Sequence, residues 1–162
     1  MTDYKSTIRK FEKGYEKKGT RKLKDIKDRF IDGKEVENIL KEEGNLEVYE
    51  TFTKSFSPMK LTLTVVNPGK VGKEFYLTKG HVHKNRTPEF YILLEGMGSL
   101  VLQKAGKSKE VKLKKGKIAL ISEGWAHRLT NTGRKKLKVL TIYHENSKPD
   151  YNLKFKKRIT KK

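Results

Sequence analysis

The chain has 162 residues and no cysteine, and its 39 Lys/Arg against 19 Asp/Glu give a net charge of +20. That length suits one domain with its own core and leaves little room for a second. Lack of cysteine removes disulfides and thiolate chemistry and fits a reducing cytoplasm, while no apolar run approaches the ~20 residues of a membrane span.

The basic excess favours encounters with anions. It is spread over three segments: residues 1–34 (twelve basic, six acidic), 104–117 (seven, one) and 148–162 (seven, one). Such a spread argues against a dedicated nucleic-acid surface and suits a solvated, lysine-rich exterior, with steering of an anionic substrate as the alternative.

Along the chain, residues 1–20 read as a basic N-terminal arm or short helix, with Ile8, Phe11 and Tyr15 at helical spacing. No apolar signal-peptide core is present in MTDYKSTIRKFEKGYEKK. From Arg21 the run RKLKDIKDRF places Leu23, Ile26 and Phe30 on one helical face. Asp32-Gly33 interrupts it, a second short helix follows with Val36, Ile39 and Leu40 inward, and Gly44-Asn45 ends that helix. Strands are then expected at 46–52, 61–66, 74–78, 90–94, 99–103, 118–122 and 137–143. KAGKSKE reads as a hairpin loop, and residues 152–162 read as a mobile basic tail. Short strands at even spacing suit an all-β barrel or sandwich behind short N-terminal helices.

Chemistry concentrates in TKGHVHKNRTPEFYILLEGMGSL, residues 78–100. Alternate residues of a strand share a face, so His81 and His83 can aim two imidazoles at one point. Glu89 follows a polar, Pro-containing turn that can fold its carboxylate back toward them. Downstream, SEGWAHRLTN supplies His127, leaving His144 as the one histidine outside these stretches. Three imidazoles and a carboxylate form a mixed N/O set suited to a divalent first-row transition metal.

The spacing HxH, five residues, Glu, six residues, Gly, together with Gly, seven residues, Gly, two residues, His, three residues, Asn over residues 116–131, resembles the two motifs of the cupin family. Ser122 stands where the second motif usually carries proline. The resemblance implies an antiparallel jelly-roll barrel with His81, His83, Glu89 and His127 as metal ligands at its mouth.

PGKVGKEF, TKGHVH, PEFY, LLEGMGSLVLQ, GWAHR and TIY narrow the likeness. Over residues 21–151 the sequence resembles the cupin-type glucose-6-phosphate isomerases of archaea and some bacteria. That resemblance implies a metal-dependent aldose–ketose isomerase working in glycolysis or gluconeogenesis. It also implies one divalent ion, Fe²⁺ first among Mn²⁺, Ni²⁺ and Zn²⁺, and a homodimer. A phosphate cradle of Thr64, Thr78, Gly80 and Tyr143 would be joined by Tyr49, Tyr91 and Tyr151 lining the sugar. Catalytic roles fall to Glu89, Tyr143 and His127, with two routes open: proton transfer by Glu89, or a hydride shift if Glu89 is only a ligand. Phe52 stands where the family suggests a second tyrosine near Tyr49, and Gly124 where it suggests an aromatic before Trp125. Another metal-dependent cupin enzyme acting on a phosphorylated sugar, or a non-catalytic sugar-binding cupin, would use the same scaffold.

Overall fold

The computed structural model describes residues 13–161. In chain order the elements are β1 (Lys17–Lys22), a 3-10 helix (Leu23–Arg29), α1 (Gly33–Glu42), β2 (Glu47–Phe56), β3 (Met59–Val66), β4 (Lys70–Val71), β5 (Glu74–Phe75), β6 (Val82–His83), β7 (Glu89–Glu95), β8 (Gly98–Lys104), β9 (Lys107–Lys112), β10 (Ile118–Ile121), β11 (Ala126–Asn131), β12 (Leu137–His144) and β13 (Pro149–Asp150). A six-stranded sheet in the order β1-β2-β3-β12-β7-β10 faces a three-stranded sheet β11-β8-β9, with short pairs β4–β5 and β6–β13 beside them. This is an all-β jelly-roll of two sheets, with both helices at its N-terminal side. Among the described residues no helix is long and apolar enough to cross a membrane.

The helices form where expected, for local reasons. Leu23 and Ile26 are three residues apart and both buried, a spacing that a 3-10 helix with three residues per turn puts on one face. Asp32 caps α1 by accepting from the Glu35 amide at 2.9 Å, which satisfies one of the free N–H groups at a helix start. Val36 and Ile39 are buried in the main core with Val48, Val66, Leu93, Leu100, Leu129 and Leu137, which come from both sheets.

Register across the large sheet decides what its inner face presents. Lys17, Thr53, Thr62, Thr141 and Tyr91 stand opposite one another on successive strands. On one side of that row run Lys60, Tyr143 and Glu89. On the other run Gly19, Thr51, Thr64, Val139 and Leu93. The following row, Arg21, Tyr49, Val66 and Leu137, reaches the apolar core. The outer face carries apolar rows of its own. Phe52, Leu63, Leu140, Ile92 and Ile118 form one, and Leu61, Ile142, Phe90 and Leu120 form another.

Three segments differ from their sequence reading. Residues 17–20, assigned to an arm, belong to β1, the edge strand of the large sheet. KKGTRK lacks apolar residues, so no alternation marked it. Tyr15 packs its ring 5.2 Å from that of Phe52, while Ile8 and Phe11 lie outside the described residues. The KAGKSKE loop shrinks to a two-residue turn, Ala105-Gly106, both with positive φ, the geometry whose twist suits a tight hairpin between β8 and β9.

The third is the C-terminal segment, read as a mobile tail. It is a strap. Phe155 and Ile159 are buried against Val101 and Ala126 on the back of the small sheet, with Leu153 packed beside them. Arg29 donates to the carbonyls of Leu153 (2.8 Å) and Tyr151 (3.2 Å). Gln103 donates to Lys154 O at 2.9 Å and accepts from Lys156 N at 2.8 Å. Arg158 pairs with the buried carboxylate of Glu74 at 3.0 Å. Apolar residues at 153, 155 and 159 do this work, and the surrounding lysines hid them.

Candidate metal centre and substrate cavity

Four separate backbone stations bring the histidines and Glu89 together. His81 and His127 exchange two backbone hydrogen bonds (3.1 and 2.9 Å) where the segment after β5 runs beside β11. His83 sits on β6, paired with Pro149 of β13, and Glu89 opens β7. The regular strand expected through the histidine pair is thus reduced to Val82–His83, because Gly80 turns the chain at φ +72°. A side chain is excluded there as well, since a Cβ would lie 2.5 Å from the Phe155 ring.

All three imidazoles turn Nε2 toward one carboxylate oxygen. Glu89 Oε2 lies 2.8 Å from His127, 3.5 Å from His83 and 3.9 Å from His81. The Nε2 atoms of His81 and His83 are 3.1 Å apart. Partners at the far nitrogens fix the rings. His83 Nδ1 donates to Thr87 O at 2.8 Å and His127 Nδ1 to Trp125 O at 3.1 Å. A carbonyl accepts only, so in the neutral rings both Nε2 atoms carry lone pairs. Glu89 Oε2 and His127 Nε2 are buried and have no hydrogen-bond partner among the described residues. Lone pairs converging at these distances call for a cation between them. The ligating atoms of His81, His83, Glu89 and His127 all lie within 4.8 Å of one another, which fits a single ion.

Electrostatics keep the donors available. Burial, then the neighbouring His127 and His83, push the pKa of His81 down to about 2, so its ring remains a neutral Lewis base. Burial raises the phenols of Tyr49, Tyr91, Tyr143 and Tyr151 above their ordinary range. Each therefore keeps its proton and can donate.

The centre opens into a cavity of about 390 Å³. Thr64, Thr78, Gly80, Tyr49, Tyr91, Tyr143 and Tyr151 all line it, together with the four metal-centre residues. Thr78 Oγ1 accepts from Leu129 N at 3.1 Å, leaving its proton for a ligand. Tyr143 joins a chain of hydroxyls, 2.9 Å to Thr62 and onward 2.8 Å to Thr53. Tyr151, carried by the strap, sets its ring 5.5 Å from that of His81 and under the Lys79 ammonium at 4.9 Å. His144 lies apart, its Nδ1 accepting from Asn146 N.

Comparison with known proteins matches the sequence model of the glucose-6-phosphate isomerase family (GPI) over residues 22–160. The chain belongs to the glucose-6-phosphate isomerase family. Within it, the Pyrococcus abyssi glucose-6-phosphate isomerase is 36% identical over 141 residues, covering 83% of this chain and 74% of that protein. The Thermococcus litoralis enzyme is 38% identical over the same shares. Among solved structures, Lactobacillus farciminis oxalate decarboxylase superposes with a TM-score of 0.53 at 13% identity, over 62% of this chain and 30% of that one. Bacillus subtilis oxalate decarboxylase gives 0.54 at 17%, over 64% and 28%. These two share the cupin fold with this chain.

This member of the glucose-6-phosphate isomerase family places more in the cavity than its motifs announce. Thr51, Thr53, Thr62 and Thr141 line it, as do Lys17, Arg21 and Lys60. The repeated Thr-x-Thr of TFT and TLT was a readable signal, because alternate residues share a strand face. Ser147 was not readable. Its hydroxyl bonds Thr87 at 2.6 Å, which in turn holds His83 Nδ1 at 3.1 Å, and only the tertiary fold brings residues 87 and 147 together.

Proposed function

We propose that this chain interconverts glucose 6-phosphate and fructose 6-phosphate, with one divalent ion held by His81, His83, Glu89 and His127. The observation that carries this is the buried, lone-pair-lined convergence of three Nε2 atoms on Glu89 Oε2, opening into a cavity otherwise walled by hydroxyls and cations. Fe²⁺ is the ion we assign, and Mn²⁺, Ni²⁺ and Zn²⁺ suit the same N/O donor set. When bound, the ion acts as a Lewis acid toward the oxygens on C1 and C2 of the open-chain sugar.

The chain's own groups do the rest. Thr64 and Thr78 hydroxyls, the Gly80 N–H and the Tyr143 phenol hold the phosphate, and Tyr49, Tyr91 and Tyr151 wall in the carbon chain. Glu89 carries the proton between C1 and C2. The three histidines face Oε2, and Oε1 is the oxygen we assign to proton transfer. His127, its Nε2 2.8 Å from Oε2, would share the ion with that carboxylate. The cysteine-free sequence suits work in a reducing cytoplasm.

Turnover of fructose 6-phosphate to glucose 6-phosphate without oxygen tests this directly. Protein stripped with chelator is expected to be inactive and to recover on addition of Fe²⁺. The His83→Ala variant is expected to stay inactive with every ion. A stripped protein with full activity, or a loaded protein with none, would overturn the assignment.

The same reading includes a homodimer. It is supported by the outer face of the large sheet, where Phe90, Ile118 and Leu120 are 39, 66 and 54% exposed in rows continuous with Ile92 and Ile142. Sedimentation is expected to give a dimer for the parent and a monomer for Ile118→Lys/Leu120→Lys. A monomeric parent would remove the dimer and leave the metal centre untouched.

A further inference from the structure

We infer that Lys17 and Arg21, on the edge strand β1, form a cationic fork that supplies the formal charge for capturing an anionic phosphate in the cavity. This rests on the isomerase reading for the identity of the phosphate and on the structure for the site. The cradle of Thr64, Thr78, Gly80 and Tyr143 contains only neutral donors. A phosphate near neutral pH carries between one and two negative charges, and taking it out of water without a cation is costly.

The register shows where the cation comes from. Thr64 stands opposite Thr51, and Thr51 opposite Gly19. Residues two apart on a strand share a face, so Lys17 and Arg21 flank Gly19 on the cavity side, and all three line the cavity. Gly19 keeps the gap between them clear, since a Cβ there would lie 2.7 Å from Thr51 Oγ1. The fork therefore opens along the row that leads to Thr64. Strand spacing of about 4.8 Å puts β1 roughly 10 Å from the backbone of Thr64, a gap that two long side chains reach across.

Charge balance favours an anion. Among the described residues the cavity lining holds Lys17, Arg21 and Lys60 against one carboxylate, Glu89, which faces the three histidines. Among described residues Lys17 and Arg21 form no ion pair. Arg21 spends one N–H on its neighbour's carbonyl, Thr20 O at 2.9 Å. Its charge bears on the phenols of Tyr49 and Tyr151, opposing the upward push of burial on both. On the opposite face of the same strand, Lys18 is neutralised by Glu50. Along Lys17–Arg21 the outward lysine is thus paired and the two inward cations are open.

Inorganic phosphate is the probe, titrated into the full-length, metal-free protein by calorimetry, so that neither turnover nor the ion enters the readout. Lys17→Gln/Arg21→Gln is expected to weaken phosphate binding about tenfold, and Lys18→Gln/Lys54→Gln, which removes the same charge from the outer face, by less than twofold. In the isomerase assay the first pair is expected to raise KM for fructose 6-phosphate by a similar factor, with the loss in KM rather than kcat. Equal weakening by both pairs would reduce the effect to overall charge and overturn the fork, as would parent-like binding in the first pair. If the parent binds phosphate through these residues yet isomerises nothing, the fork stands and the isomerase reading falls. If it isomerises but the first pair changes nothing, the reverse holds.

Discussion

Glu89→Gln is expected to lower turnover by roughly 10²–10⁴-fold even when the site is saturated with metal, the range that positioned proton transfer contributes. Glutamine keeps the size of the side chain and one oxygen for the ion, but it cannot take up and return a proton. It also removes the negative charge on which three Nε2 atoms converge. Metal affinity is therefore expected to fall by more than the ~10–100-fold that loss of an outer hydrogen-bond partner costs. A chelator-competition titration measures the second effect, and kcat at saturating metal measures the first. A saturated variant that keeps more than half of the parent kcat would leave Glu89 as a ligand only and move the reaction to a hydride shift.

Phe155→Ala is expected to destabilise the fold by about 3–5 kcal/mol, the usual cost of emptying a buried aromatic position. The ring is 3% exposed and fills the space between Val101 and Ala126. It also meets the Arg128 guanidinium at 4.8 Å and closes over Gly80, one residue before His81. Arg128 is itself buried, with one hydrogen bond to Lys157 O at 3.1 Å, so loss of the ring exposes a charge next to His127. Metal affinity should fall with stability. Removing residues 152–162 goes further, because Glu74 loses Arg158 and keeps a buried charge without its cation, worth about 3–5 kcal/mol in comparable cases. Urea midpoints of the three proteins measure this. A tail free in solvent would shift them by less than about 0.5 kcal/mol.

What was legible in the sequence followed from pattern. His81, His83 and Glu89 could be read because their spacing marks one motif, and His127 because the second motif announces it. Bridges to His127 and Pro149, not strand alternation, bring the imidazoles of His81 and His83 together. The strands 61–66, 90–94 and 137–143 were legible because one face of each meets a core. β1 was not, because its inner face is the polar wall of a cavity and its outer face meets solvent, so nothing in KKGTRK alternates. The strap was hidden for the opposite reason: Phe155 and Ile159 are core residues, with Leu153 packed beside them, and lysines dilute all three. The role of Ser147 depends on a contact sixty residues away from Thr87, which no local pattern can hold.

The inner face of the large sheet changes character along its strands. On β12, Leu137 and Val139 belong to the core, and Thr141 and Tyr143 to the cavity. On β3, Val66 lies in the core, while Thr64, Thr62 and Lys60 line the cavity. On β7, Leu93 gives way to Tyr91 and Glu89. Folding and recognition thus occupy successive lengths of the same strands rather than separate layers. On the proposed function, substitutions at positions 60, 62, 64, 141 and 143 are expected to retune which ligand is accepted while the apolar length, which supplies the cohesion, stays as it is. Such a scaffold can change its substrate in small steps without passing through an unfolded intermediate sequence.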